Sequence, residues 1–194
     1  PSDVSIGYEQ SRTMYRHRTA IREYLKVTQF NQSARHLAVT TVYKSASVMD
    51  NPADLINVAI DELIHHRYEL PGFNTLDRLV RRVRNLVNQK LFLLVISRLN
   101  QEYIERLDNL LKSHPVHIRS PYNDLKQLPN RPTRNHLNDL LTHLIWLDSF
   151  GEVKPYLESI TSAKIQHFAA EAKALDAAEL KDIGQPKRIT LFFY

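Results

Sequence analysis

Four glycines in 194 residues leave this chain few places for the backbone to turn sharply or take a positive φ. A Rossmann-like or barrel architecture of this length needs more of them at its turns. The sequence therefore points to an all-α, multi-helix fold. Hydrophobic residues at 43% and charged residues at 24% leave enough apolar material for a globular core.

Helical periodicity fills most of the chain. Residues 12–26 read as a helix with Met14, Ile21 and Leu25 on one face, and 33–48 as a second. The turn Asp50-Asn51-Pro52 offers Asn51 or Asp50 as the cap of a third helix, with Pro52 in its first turn. That helix repeats Leu55, Ile56, Ala59, Ile60, Leu63 and Ile64 at the helical spacing and stops near His66. A connector with the turn signal Pro71-Gly72 follows, and Asn74 or Thr75 caps a helix running to about Arg98. Its end, Leu91 to Ile96, is apolar all round and reads as a buried turn and a half. Residues 100–112 form another helix, with Tyr103, Ile104, Leu107, Leu110 and Leu111 inward.

Prolines 115, 121, 129 and 132 make 113–133 the natural linker. Helices resume at 133–149, where Trp146 reads as core, and at 160–175, with an alanine-rich piece ending at Gly184. Pro186 opens a last helix, and the apolar stub through Leu191-Phe192-Phe193-Tyr194 calls for a surface to pack on. That stub and the opening Pro1-Ser2-Asp3, without a start methionine or a signal peptide, lead to the expectation that the chain is a fragment of something longer.

A net charge of +5 and a pI near 9.4 favour an anionic partner, and the charge is unevenly spread. Residues 11–26 hold Arg12, Arg16, Arg18, Arg22 and Lys26 against Glu23 alone. Residues 74–90 hold Arg78, Arg81, Arg82, Arg84 and Lys90 against Asp77 alone. At about 100° per residue, Leu76, Leu79, Val80, Val83 and Val87 fall in one stripe, with Arg78, Arg81, Arg82, Asn85 and Asn88 opposite. Arginine can grip guanine, and asparagine adenine, in the major groove. Further arginines hold phosphates.

The helix from Pro52, the connector and the helix from Thr75 together resemble a helix-turn-helix unit at 52–98, with a connector of about seven residues in place of three or four. The expected layout is a helical DNA-binding domain at 1–112, the linker at 113–133, and a second, C-terminally truncated helical subdomain at 134–194. The expected DNA-binding residues are Arg12, Arg16, Arg18, Arg22, Asn74, Thr75, Arg78, Arg81, Arg82, Asn85 and Asn88. The plainer alternative is that Arg and Asn simply solvate an exposed helix. The scarcity of acids weighs against it, since solvated faces usually mix both signs.

Other chemistries find little support. The absence of cysteine removes disulfides, thiol nucleophiles and zinc-cysteine sites. His65-His66, His114/His117 and His136/His143 lack metal-ligand spacing, and no Walker loop, nucleophile elbow or dinucleotide fingerprint occurs. Neither a catalytic residue nor a metal ligand is expected. No apolar run approaches the roughly 20 residues that span a bilayer.

Several blocks resemble a known family. These are Tyr15-Arg16-His17-Arg18 with Ile21-Arg22 and Tyr24-Leu25; Asn51-Pro52-Ala53-Asp54-Leu55-Ile56-Asn57; and the sharpest, Tyr68-Glu69-Leu70-Pro71-Gly72-Phe73-Asn74-Thr75-Leu76-Asp77-Arg78-Leu79. Lys164-Ile165-Gln166-His167-Phe168-Ala169, Ala174-Leu175-Asp176 and Pro186-Lys187-Arg188 continue in order. Together they are similar to the large replicative transposases of the Tn-three family, in the N-terminal DNA-binding region.

The resemblance implies sequence-specific binding of terminal inverted repeats in double-stranded DNA. It also implies that this chain has no cofactor and is not an enzyme by itself. The Asp-Asp-Glu catalytic domain, with its divalent metal, belongs to another part of the parent. The expected partners are the inverted-repeat DNA and the rest of the parent transposase, with a homodimer of the full-length protein left open and no membrane. The expected setting is the bacterial cytoplasm, at the nucleoid. The alternative is a helical interaction or scaffold module that packs on the rest of the parent.

Overall fold

A computed structural model of the chain describes residues 11–112, 120–126, 133–158 and 160–194, apart from the side chains of Ser11 and Arg12. Among these residues the fold is all-α, with eleven helices and no strand. They group into two compact units.

The first unit comprises residues 1–46 and 51–84. Its described part holds α1 (Ser11–Leu25), α2 (Gln32–Ala46), α3 (Pro52–His65) and the first half of α4 (Phe73–Ser97). The cap of α3 is Asn51, whose side chain accepts from the Ala53 amide, with Pro52 at the start of the helix. Asn31 caps α2 in the same manner, accepting from Ala34 N at 3.0 Å. α2 buries Ala34, Ala38, Val42 and Ala46, an i, i+4 row of small side chains that lets it lie close against α3. α3 answers with Leu55, Ile56, Ala59 and Leu63, and α4 adds Leu76, Leu79, Val80 and Val83. Each fully buried Leu or Val in this set contributes about 1.5–3 kcal/mol.

α1 is different. Met14, Ile21 and Leu25, the expected inward face, are more than half exposed, and among its described side chains only Arg22 is even half-buried. Ion pairs and backbone bonds hold α1, rather than an apolar seam.

α4 begins at Phe73, not at Thr75. Gly72 O accepts from Thr75 N at 2.8 Å, so Asn74 and Thr75 lie inside the first turn instead of capping it.

The second unit comprises residues 47–50 and 85–194. Its described part contains the second half of α4, α5 (Gln101–Asn109), α6 (Pro121–Leu125), α7 (Arg134–Asp148), α8 (Lys154–Leu157), α9 (Ser162–Ala174), α10 (Ala177–Asp182) and α11 (Gln185–Leu191). One core joins Phe92 and Leu111 to Phe168, Ala172, Ala177, Leu180 and Leu191. A second joins Ile104, Leu107 and Leu110 to Ile189, with Tyr103, Trp146, Phe150 and Phe193 around it.

These cores bear on four expectations: the unit boundary, the linker, the terminal stub and the apolar end of α4. The unit boundary falls inside α4, and residues before and after 113–133 share one core. Within that stretch, Pro115, Pro129 and Pro132 lie outside the described residues. Pro121 opens α6, where Ser120 accepts from Asn123 N and Tyr122 packs inward, donating to Ala172 O at 3.1 Å. The terminal segment Ile189–Tyr194 packs on this chain's own helices, and burial pushes the Tyr194 phenol up to about 12. The apolar end of α4 buries only Phe92 and Val95, while Leu93 and Leu94 face solvent.

α7 buries nothing fully. Leu137, Leu141, Leu144 and Ile145 lie 53–64% exposed at helical spacing, while Trp146, half-buried, stacks edge-on against Phe150 at 4.4 Å.

Candidate nucleic-acid interface

The candidate interface lies in the first unit, on the outward faces of α1 and α4. On α4, burial of Leu76, Leu79, Val80 and Val83 turns Arg78, Arg81 and Arg82 outward, and all three are exposed. Arg78 Nε bonds back to Asn74 O at 3.3 Å, which leaves its terminal nitrogens available. Arg81 donates to Asp77 at 2.8 Å, one helical turn away, and that carboxylate pushes the Arg81 guanidinium up. Arg82 has no carboxylate partner among the described residues. Asn85, one turn on, is exposed as expected; Asn74 is exposed and Thr75 half-buried.

Asn88 is the correction on this helix. It is 8% exposed, donating to Asp50 Oδ1 at 3.0 Å and accepting from the Lys164 ammonium. Lys164, fully buried, also donates to Asp50 at 2.9 Å, and His167 Nε2 lies 3.0 Å from the other oxygen of Asp50. The reason is geometric. Past Val87 the buried side of α4 moves round the helix by roughly a third of a turn, from the Leu76 stripe to Asn88, Phe92 and Val95. Asn88 is a member of a buried polar network in the second unit and not part of the basic face.

On α1, Arg16 is exposed with no carboxylate partner among the described residues, and the side chain of Arg12 lies outside them. Arg18 and Arg22 converge on Glu69, each Nε donating at 2.8 Å, one to either carboxylate oxygen. Burial alone would push the Glu69 carboxyl up; the hydrogen bonds and charges of both arginines outweigh it and hold the carboxyl below its ordinary range. A count of acids within α1 misses this, because the neutralising carboxylate arrives 47 residues after Arg22. Arg22, half-buried by the clamp, is therefore chiefly a fastener, while Arg18 keeps a 61% exposed side chain.

The same junction carries a second tie. Thr28 N donates to Arg67 O, and Glu69 N to Thr28 O, both at 2.8 Å, forming an isolated parallel bridge between Thr28 and Tyr68. Lys26 and Arg67, just before the bridged residues, have φ of 53° and 55°. In sequence Lys26 counts in the basic cluster of 11–26 and Arg67 is not singled out, and neither conformation is foreseen; a left-handed position after a helix is normally read from glycine, which is absent at both.

Among the described residues no group of three or more His, Asp or Glu could hold a metal ion, and no helix is long and apolar enough to cross a membrane.

With this geometry in view, comparison with known proteins adds a direction. Residues 1–83 match a family model described as a domain of unknown function, DUF4158. That match ends one residue short of the first compact unit. Over 193 residues, 98% of the chain, the sequence is 26% identical to "Transposase for transposon Tn1546" of Enterococcus faecium. The chain is thus transposase-related in sequence. It spans 20% of the length of that relative.

Proposed function

We propose that this chain is the DNA-end-recognition part of a replicative, cut-and-copy transposase of the Tn-three family, binding the terminal inverted repeats without itself cutting DNA. The observation that carries this reading is the outward arginine face of α4, Arg78, Arg81 and Arg82, backed by a buried apolar stripe. A rigid helix holding guanidinium groups out to solvent is suited to a major groove. α3, the connector and α4 supply a helix-turn-helix-like order of elements. Arg16 and Arg18 on α1 supply phosphate contacts, which fix register without reading sequence. Likeness to a transposase over nearly the whole chain supports the setting, and cleavage and its divalent metal are assigned to the remainder of the parent.

The test is a mobility-shift titration of the chain against a terminal-repeat duplex and a shuffled duplex of equal length. Preference for the repeat by about tenfold or more supports the proposal; equal affinity for both contradicts it.

The exposed leucine row of α7 favours a second role beside the first, as a scaffold surface packing on the rest of the parent. Loss of that packing on polar substitution of Leu141 and Leu144, with DNA preference intact, is its signature.

A further inference from the structure

Resting on the duplex-binding function proposed above, we propose that Lys26 and Arg67 form a second, sequence-independent phosphate-holding pair, distinct from the arginine face of α4.

Both helices that lead into the Thr28–Tyr68 bridge end in the same way. Val27 N donates to Arg22 O at 3.0 Å, and Tyr68 N to Leu63 O at 2.8 Å, the six-to-one bond of a Schellman turn. In each turn the residue before the donor takes the left-handed conformation: Lys26 at φ 53° after α1, Arg67 at φ 55° after α3. Glycine is the unstrained choice there, because a Cβ crowds the following carbonyl. These are the two positive-φ residues other than glycine among the described residues, and both are long cations.

The plain explanation is that a cation suits the negative end of a helix. A helix end takes such a residue without strain in its last turn, where Arg22 stands in α1 and His65 in α3. Nor do the side chains tie the fold together. Both are exposed, and neither has a carboxylate partner among the described residues. Their backbones are fastened to one another through the bridge, so the two cations stand on a fixed common base. Strain retained at two exposed, basic, mutually fixed positions marks a site whose ligand lies outside the chain. The ligand that suits an exposed ammonium and an exposed guanidinium in a duplex-binding chain is the phosphodiester backbone of that duplex.

The test uses the whole chain carrying Lys26→Gly and Arg67→Gly, singly and together. Lys26→Asn with Arg67→Asn provides neutral side chains that still tolerate the left-handed region. Melting temperature is read beside binding to labelled terminal-repeat and shuffled duplexes across a salt series. The expected result is a melting temperature equal to or above that of the parent, weaker binding to both duplexes alike, and a slope of log affinity against log salt flatter by about one unit per substitution. Unchanged binding and slope, while Arg82→Ala still weakens the repeat, overturns the pair and leaves the α4 reading standing. A lowered melting temperature in both the Gly and the Asn variants also overturns it, since the side chains would then hold the fold. Equal indifference of duplex binding to Arg78→Ala, Arg82→Ala and these variants overturns the duplex-binding reading itself.

Discussion

Arg22 and Glu69, 47 residues apart, meet through an Nε–Oε2 hydrogen bond of 2.8 Å, and Arg18 closes on the other carboxylate oxygen. Because α1 buries almost no apolar surface, this clamp and the Thr28 bridge carry its attachment. One carboxylate therefore does two opposed things. It fastens the basic helix and it cancels part of the helix's charge.

Glu69→Gln separates those effects. Loss of the clamp costs about 1 kcal/mol of stability at neutral pH, and amide exchange in α1 speeds up before that in α2 or α3. Affinity for any duplex rises, with a salt slope steeper by about one unit, because one negative charge is gone and two guanidiniums are released. The parent's acid response follows from the sign of the shift. The Glu69 carboxyl sits below its ordinary value of 4.5, so the clamp's contribution is complete above that pH and is lost as pH falls through the lower folded value. Urea midpoints measured against pH should show this acid limb in the parent and a smaller one in Glu69→Gln. Identical limbs would contradict the clamp.

Lys164, Asp50 and Asn88 form the buried network of the second unit. Lys164→Met leaves the Asp50 carboxylate buried without its ammonium and should lower stability by about 3–5 kcal/mol in urea unfolding. The double variant with Asp50→Asn should recover a substantial part of that loss. Asn88→Ala should lower stability yet leave the ratio of repeat to shuffled affinity where it was, whereas Asn85→Ala should leave stability within about 0.5 kcal/mol. A change in the affinity ratio on Asn88→Ala at constant stability would show that the network opens to DNA.

Leu141→Gln and Leu144→Gln on α7 test the exposed row. Both side chains face water in this chain, so their replacement should shift unfolding by no more than about 0.5 kcal/mol each. A loss near 2 kcal/mol, as for a buried leucine, would show that α7 packs inward.

What the sequence disclosed follows from what short-range patterns carry. The third helix was readable from Asn51-Pro52 and its apolar repeat, because caps and stripes are local. The α4 stripe was readable as far as Val87, all of it buried. Asn88 was misjudged because one wheel was applied to a helix that serves two cores with different faces. Arg22 and Glu69 could not be paired by eye, since nothing local joins positions so far apart. Lys164 gives no sequence sign of burial, as a lysine inside a core needs a partner that only the fold brings. The proline-rich stretch reads as a linker in sequence because proline signals a helix start as readily as a break; at Pro121 it is a start.

The central claim is that outward arginines of α4 recognise transposon ends. It is tested most directly by the ratio of terminal-repeat to shuffled-duplex affinity for the parent chain and for Arg78→Ala with Arg82→Ala at one fixed salt concentration. The account predicts a ratio that falls by about tenfold or more in the double variant, with melting temperature unchanged. A ratio that stays the same, or a parent chain that never preferred the repeat, would contradict it.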